Sequence, residues 1–171
     1  MKVLLIDDHP LILQALQSVI QSLGSDTTVV GAGSARAGRE ILKADADFDL
    51  VLLDLHLGDA DGFEVLVEFR RTYPSLPVVV VSASDRHSDV IKAIDLGAMG
   101  FVPKRASNDS LFEALNMVMS GGIYVSPWCC GRTCRPRAGR MVIPAGEGLE
   151  TKPPVQRSTR RTREARQQPW V

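Results

Sequence analysis

The sequence predicts an α/β fold in which five strands alternate with five helices and form a parallel sheet. Three observations lead to this prediction. The apolar runs are short and nearly continuous, which is typical of strands buried on both faces of a parallel sheet. The segments between them carry apolar residues at a helical period. The alternation is complete within about 125 residues, and such short crossovers keep neighbouring strands parallel.

The first strand, KVLLIDD, covers residues 2–8 and ends in Asp7 and Asp8. The helix that follows has an apolar stripe and is closed by Gly24. TTVVGAGS, residues 27–34, is the second strand, and Ser34 is the predicted N-cap of the second helix. The stripe of the first helix comprises Leu11, Ile12, Ala15, Leu16, Val19, Ile20 and Leu23.

The third strand carries the residue on which the functional prediction depends. FDLVLLDLHLGDADG, residues 48–62, begins with a nearly continuous apolar run that is interrupted by Asp54. A buried strand does not tolerate an unpaired charge in its interior, so we expect Asp54 where this strand ends. In open α/β sheets this carboxyl end is where ligands bind. The next helix is expected to begin near Asp61.

The remaining elements continue the alternation. Residues 62–74 form an amphipathic helix, and LPVVVVSAS, residues 76–84, is a wholly buried fourth strand, followed by a helix over residues 88–99. GFVPKR, residues 100–105, is a short fifth strand, which Pro103 should place at a sheet edge because proline donates no ladder bond. The residues expected to face the core are Phe63, Leu66, Val67 and Phe69 in the third helix, and Leu111, Leu115, Val118 and Met119 in the fifth helix, residues 107–122.

Charge divides the chain near residue 126. Residues 1–126 carry 17 acidic and 10 basic side chains, a net charge of −7, whereas residues 127–171 carry 3 acidic and 10 basic side chains, a net charge of +7. No apolar run reaches the roughly 18 to 20 residues of a membrane span. The carboxylates of residues 2–8 exclude a signal peptide there. We therefore expect a cytoplasmic protein with no membrane partner.

Five functional side chains are predicted at one edge of the sheet. They are Asp7 and Asp8 after the first strand, Asp54 after the third, Ser82 after the fourth and Lys104 at the fifth. Converging carboxylates repel one another unless a cation lies among them, and a hard divalent ion such as Mg²⁺ prefers oxygen ligands. With a lysine ammonium and a hydroxyl nearby, the set would grip the oxygens of a phosphoryl group on Asp54.

Residues 1–125 resemble the receiver domain of two-component response regulators. The motifs DDHP, LLDLHLGDADG, VVVVSAS and GFVPK match this family in order and spacing. DDHP and the GGIYVSP segment after the fifth helix are similar to the LuxR-type (NarL/FixJ-like) subfamily, which carries a helix-turn-helix output domain. The resemblance implies a flavodoxin-like, doubly wound sheet with strand order 2-1-3-4-5.

The resemblance also implies roles for the acidic residues. Asp54 corresponds to the phosphoacceptor, which a sensor histidine kinase phosphorylates. Asp7, Asp8, Asp54 and the backbone carbonyl of His56 correspond to the Mg²⁺ ligands. The protein would then be a phosphoacceptor that assists its own phosphoryl transfer and dephosphorylation rather than an enzyme, and it would belong to phosphorelay signalling and transcription regulation.

Three further residues correspond to the family's phosphoryl contacts and switch. Ser82 and Lys104 would contact the phosphoryl group, and Ser82 and Phe101 would be the switch residues. Phosphorylation would alter a face made by the fourth helix, the fifth strand and the fifth helix, with a homodimer as one outcome. Considered separately, Ser82 could merely cap a loop, Phe101 could merely pack in the core, and His9 is expected to begin the first helix.

Three other interpretations compete with this one. A phosphohydrolase with an aspartyl nucleophile would place that residue after the first strand in a DxD pattern, and this strand ends in DDHP instead. A phosphorylation-independent interaction module would be favoured by an incomplete acidic set, and this set is complete. A non-functional, truncated or frame-shifted remnant stays open because of the C-terminal segment.

Residues 126–171 are predicted to be a basic, Pro/Arg-rich, disordered tail rather than a helix-turn-helix domain, so no DNA-reading helix is expected. Its cysteines, Cys129, Cys130 and Cys134, lack a fourth ligand for zinc. Three explanations stay open: a frame shift after YVSP in a DNA-binding regulator, a single-domain receiver with a natural extension, and nonspecific nucleic-acid binding by residues 157–166. The abrupt end of the family-like pattern favours the first.

Overall fold

The computed structural model describes residues 1–126 except residues 23, 25 and 85. The described strands are β1 Lys2–Ile6, β2 Thr28–Ala32, β3 Leu50–Leu53, β4 His56–Leu57, β5 Ala60–Asp61, β6 Val78–Ser82, β7 Gly100–Pro103 and β8 Tyr124–Val125. The helices are α1 Pro10–Gln21, α2 Ala35–Ala44, α3 Gly62–Thr72, α4 His87–Asp95 and α5 Asn108–Met119. The alternation of strand and helix is therefore the predicted one, and residues 127–171, with the predicted tail, lie outside the described residues.

Six of these strands form one parallel sheet in the order β2-β1-β3-β6-β7-β8. Because β6 and β7 are the fourth and fifth strands of the βα series, the order confirms the 2-1-3-4-5 arrangement of a doubly wound, flavodoxin-like sheet. The remaining two, β4 and β5, make a separate antiparallel hairpin between β3 and α3, which the sequence analysis did not predict.

The prediction that the strand with Pro103 lies at the sheet edge is wrong. β8 pairs with the first half of β7, Gly100 with Tyr124 and Phe101 with Val125. β8 is only two residues long and pairs with Gly100 and Phe101, so it does not reach Pro103. Proline has no backbone N–H to donate, but the hydrogen bonds between β7 and β8 do not require one at this position. The sequence analysis did not recognise so short a strand in GGIYVSP.

The sheet separates two apolar cores, because successive residues of each strand face opposite sides. The core on one face packs against α2, α3 and α4, and the core on the other face packs against α1 and α5. In β1, for example, Leu4 and Ile6 belong to the first core, whereas Val3 and Leu5 belong to the second. Both faces of the sheet are covered, as the continuous apolar runs predicted.

Four residues of the predicted apolar stripes and core are instead exposed: Leu11 is 80% exposed, Val67 43% and Met119 44%, and Ala15 is exposed as well. Leu23, from the predicted stripe of the first helix, lies outside the described residues. In α3 the buried side chains are Val65, Leu66 and Phe69. Val67 lies about 100° further round the helix than Leu66 and points away from the sheet. The three consecutive apolar residues from Val65 to Val67 span about 200° of the helix, so the sequence alone does not show which side of that arc faces the sheet.

The start of α3 is pressed against the end of β3. A Cβ atom on Gly62 would lie 2.4 Å from Leu55 Cα and 2.7 Å from the carbonyl oxygen of Asp54. Asp61 caps the helix, since its side chain accepts hydrogen bonds from the amides of Phe63 and Glu64. Only glycine permits this close approach, which holds the residues after β3 at the sheet edge.

Among the described residues, no helix combines the length and the apolar character needed to cross a membrane.

A matched pair of substitutions in α3 tests which arc of the helix is buried. Val65→Ala should lower the free energy of unfolding by about 2 kcal/mol, because it removes two fully buried carbons and leaves a small cavity. Val67→Ala should change that free energy by less than about 0.5 kcal/mol, because this side chain is already in water. Urea denaturation of both variants measures the two values, and equal losses would contradict the orientation of α3.

Candidate functional site

Three carboxylates meet at the carboxyl edge of the sheet. β1 and β3 are neighbours with Ile6 opposite Leu53, so Asp7 and Asp54, the next residues, emerge side by side. Backbone bonds hold both positions, Asp7 N to Ala32 O at 3.1 Å and Asp54 N to Ile6 O at 2.9 Å. One carboxylate oxygen each from Asp7, Asp8 and Asp54 and one ring nitrogen of His9 all lie within 4.8 Å of one another. Such a set can hold a metal ion.

Lys104 bridges the two most buried carboxylates. Its Nζ lies 2.6 Å from Asp7 Oδ2 and 2.8 Å from Asp54 Oδ2, and Asp7 and Asp54 are only 1% and 2% exposed. The Lys104 amide donates to Ser82 O at 2.8 Å, directly after β7. Burial by itself lowers the pKa of Lys104, but the hydrogen bonds and charges of Asp54 and Asp7 outweigh burial, so the pKa is raised above 10.5. The lysine therefore stays charged at neutral pH.

The charges of the site do not balance without a further cation. Three carboxylates and one ammonium leave a net charge of −2, and Asp54 Oδ1 is buried without a hydrogen-bond partner among the described residues. A buried, unpaired carboxylate oxygen is costly, which favours a ligand that satisfies it. The three carboxylates offer hard oxygen donors, so they fit a divalent cation such as Mg²⁺.

The other predicted site residues lie at the same edge or in the core beside it. Ser82 is the last residue of β6 and is fully buried, and its Oγ accepts a hydrogen bond from the amide of Ser84 at 3.2 Å. Phe101 lies in the middle of β7, opposite Val80, and is fully buried in the core under α2, α3 and α4. His56 begins β4 and is exposed, and the metal-ligand role expected of its backbone carbonyl stays a prediction.

An open cavity of about 500 Å³ lies beside the acidic cluster. Its lining includes Asp8, His56, Phe63 and Asp89. A second cavity of about 380 Å³ also borders His56 and Asp89, together with Ala83, Ser84 and Arg86. The acidic edge of the sheet can therefore be approached from solvent over the exposed His56 side chain.

The acidic pair makes two further contacts that were not predicted from the sequence. His9 is the residue before α1, as expected, but its Nδ1 also lies 2.7 Å from Asp8 Oδ1 and 3.2 Å from Asp7 Oδ1. The amide of Gly58 donates to Asp8 Oδ2 at 3.0 Å. The position of His9 directly after two aspartates was a usable signal for the first contact. The second depends on the unpredicted β4–β5 hairpin.

A doubly wound sheet with buried carboxylates and a lysine at its carboxyl edge defines a class of phosphoacceptor signalling domains. The family model "Response regulator receiver domain" matches residues 3–116. The chain therefore belongs to the response regulator receiver domain family. This family consists of phosphoacceptors rather than conventional enzymes, and its members work with histidine kinases.

Two curated relatives and one solved structure illustrate the similarity. The "Nitrate/nitrite response regulator protein NarL" of Escherichia coli K12 is 36% identical over 125 residues, 72% of this chain and 57% of that protein. The "Glycerol metabolism activator" of Pseudomonas putida is 32% identical over 126 residues, 74% of this chain and 57% of that protein. A LuxR family DNA-binding response regulator from Silicibacter pomeroyi superposes with a TM-score of 0.65 at 31% identity, over 74% of this chain and 97% of that one.

The chain thus spans a little more than half the length of the curated relatives that it matches. The similarity to NarL and to LuxR-family regulators confirms the resemblance expected from the sequence motifs. It covers the receiver part of the chain, and the region in which the sequence analysis found no helix-turn-helix lies outside the described residues.

Lys104 provides a test of the charge balance. Lys104→Met should lower the free energy of unfolding at neutral pH by about 2 kcal/mol, less than the roughly 3–5 kcal/mol of a fully buried pair because the side chain is 11% exposed. The folded-state pKa lies above the unfolded value of 10.5, so the contribution is complete below pH 10.5 and is lost as the pH rises through the folded-state pKa.

Urea denaturation of wild type and variant across alkaline pH measures this effect. The difference in stability between the two proteins should be constant well below pH 10.5 and should shrink above it. Lys92→Met is the matched control, because Lys92 is an exposed lysine that lies over the Phe63 ring. A pH-independent difference for Lys104→Met would contradict the assigned ion pairs.

Proposed function

We propose that this protein accepts a phosphoryl group on Asp54 from a sensor histidine kinase, in Mg²⁺-dependent phosphorelay signalling. One observation carries the proposal: the two oxygens of Asp54 have different surroundings. Oδ2 is held by Lys104 at 2.8 Å, whereas Oδ1 is buried and accepts no hydrogen bond from the described residues. One oxygen is thus anchored while the other has a free lone pair for attack.

In this proposal Oδ1 of Asp54 attacks the phosphorus atom of a phosphohistidine. An O–P bond forms, the N–P bond breaks, and the departing imidazole takes its proton from solvent, so the product is an acyl phosphate on Asp54. Lys104 stays beside Asp54 and Asp7 and offsets the negative charge that the phosphoryl oxygens bring. The Ser82 hydroxyl would donate a hydrogen bond to one of those oxygens.

A divalent cation would be held by Asp7, Asp8, Asp54 and the backbone carbonyl of His56. When bound, Mg²⁺ neutralises phosphoryl oxygens and orients them for in-line displacement. The support for this assignment is the net charge of −2 among the three carboxylates and Lys104. The Gly58 amide, which donates to Asp8 Oδ2 at 3.0 Å, would orient that carboxylate for the ion.

Ser82 and Phe101 would transmit phosphorylation to the surface. They lie on neighbouring strands, since β6 pairs with β7, and both are fully buried. A phosphoryl group that recruits the Ser82 hydroxyl changes the packing beside Phe101, and the affected face would be α4, β7 and α5. Dimerisation through this face is the proposed consequence.

The output of the switch is proposed from the domain organisation. Residues 1–125 would be the receiver and residues 126–171 a basic appendage, in a cytoplasmic protein related to DNA-binding transcriptional regulators. The similarity to a DNA-binding response regulator supports this origin. The abrupt end of the family-like pattern after YVSP supports a second candidate, an inactive, frame-shifted remnant.

Phosphorylation by a small-molecule donor separates the two candidates. Wild type incubated with acetyl phosphate and Mg²⁺ should gain one phosphoryl group in intact-mass analysis, and EDTA should abolish the gain. Asp54→Asn should gain none, because an amide cannot act as the nucleophile. Asp95→Asn, which changes an exposed aspartate at the end of α4, should behave as wild type. A folded wild type that gains no mass would overturn the proposed function and favour the second candidate.

A further inference from the structure

The β4–β5 hairpin lies between the acidic cluster and α2. Its strands pair His56 with Asp61 and Leu57 with Ala60, so Gly58 and Asp59 form a two-residue turn. The two turn residues make bonds in opposite directions. The Gly58 amide donates to Asp8 Oδ2 in the acidic cluster, whereas the Asp59 carboxylate reaches the N-terminus of α2.

Asp59 accepts hydrogen bonds from the first two amides of that helix. Its Oδ1 lies 2.9 Å from the amide nitrogen of Ala35, and its Oδ2 lies 2.9 Å from that of Arg36. The third amide, that of Ala37, is bound by Ser34 Oγ at 3.1 Å, as the N-cap prediction expected. The first three amides of α2, which cannot find partners inside the helix, are all satisfied by side chains.

The contact is electrostatic as well as geometric. A carboxylate at a helix N-terminus is stabilised by the helix dipole and by the unpaired amides. The amides of Arg36 and Ala35 together lower the pKa of Asp59, and Arg39 adds a smaller effect of the same sign. Asp59 therefore remains charged at neutral pH and holds its two bonds there.

The other end of the hairpin is equally constrained. Asp61 accepts hydrogen bonds from the amides of Phe63 and Glu64 at the start of α3. Helices α2 and α3 are themselves joined by Arg39, whose Nη2 lies 2.8 Å from Glu68 Oε2. The hairpin is thus held between two helix N-termini, with the Gly58–Asp8 bond between them.

We propose that Asp59 is a positioning residue for the divalent-cation site. By fixing the hairpin turn on α2, it keeps the Gly58 amide on Asp8 Oδ2 and the hairpin against the acidic cluster. The inference rests on the proposed function insofar as that function requires the cation. It adds a residue to which the family resemblance assigned no role, because the Asp59 carboxylate binds α2 rather than the acidic cluster.

Three variants of the full chain test this role. Asp59→Ala removes both bonds to α2, and Asp59→Asn retains one acceptor oxygen and should have an intermediate effect. Ser34→Ala is the matched control, because it removes the third N-terminal bond of α2 and leaves the hairpin contact intact. If Asp59 acts only through helix stability, Ser34→Ala should have the same consequences.

Two measurements read out the site without requiring phosphorylation. Calorimetric titration with Mg²⁺ should show a dissociation constant raised about tenfold in Asp59→Ala, the lower end of the range for loss of a partner that orients metal ligands. Hydrogen exchange by NMR in the metal-free protein should be faster at the Gly58 amide in Asp59→Ala. Ser34→Ala should match wild type in both measurements.

The outcomes distinguish this inference from the proposed function. An unchanged Mg²⁺ affinity in Asp59→Ala, or an equal loss in Ser34→Ala, would overturn the positioning role whatever the phosphorylation assay shows. Conversely, a wild type that binds Mg²⁺ but gains no phosphoryl group would overturn the proposed function, and the Mg²⁺ titrations would still decide the role of Asp59.

Discussion

The structure depends on holding three carboxylates close together at one edge of the sheet. Asp7 and Asp54 are almost completely buried, Asp8 adjoins them, and one ammonium, that of Lys104, contacts both buried carboxylates. Like charges at this distance repel, and removing them from water is costly, so the arrangement persists only because the surrounding elements leave no alternative. The remaining negative charge favours a divalent cation at this edge of the sheet.

The connection between β3 and α3 imposes this arrangement. Gly62 lets the helix begin against the backbone of Leu55, which is too close for any side chain. The β4–β5 hairpin lies between β3 and α3, beside the acidic cluster. The Gly58 amide donates a hydrogen bond to Asp8, and the Asp59 carboxylate accepts hydrogen bonds from the first two amides of α2. Each of these contacts joins a charged carboxylate to backbone amides, and such charge-assisted hydrogen bonds are stronger than those between neutral groups. The hairpin is short, but both of its turn residues are hydrogen-bonded to other elements.

The two cores supply the rigidity that the site requires. Strands with a continuous apolar sequence are covered by helices on both faces, so the sheet cannot slip in register without exposing one core. This packing fixes the positions of the strand ends and therefore of the charged residues that follow them. Phe101 belongs to one of these cores, so the switch role proposed for it would act through the helices of that face.

The sequence by itself determined the order of the elements and the meeting of Asp7, Asp8, Asp54 and Lys104, because the carboxyl ends of parallel strands share one edge. The tertiary structure alone decided which arc of α3 is buried, that β8 covers β7, and that Asp59 binds the N-terminus of α2. The last two features rest on a strand of two residues or on a contact between residues 24 positions apart. Local periodicity has no signal at such lengths, since the partner that stabilises each short segment lies elsewhere in the chain.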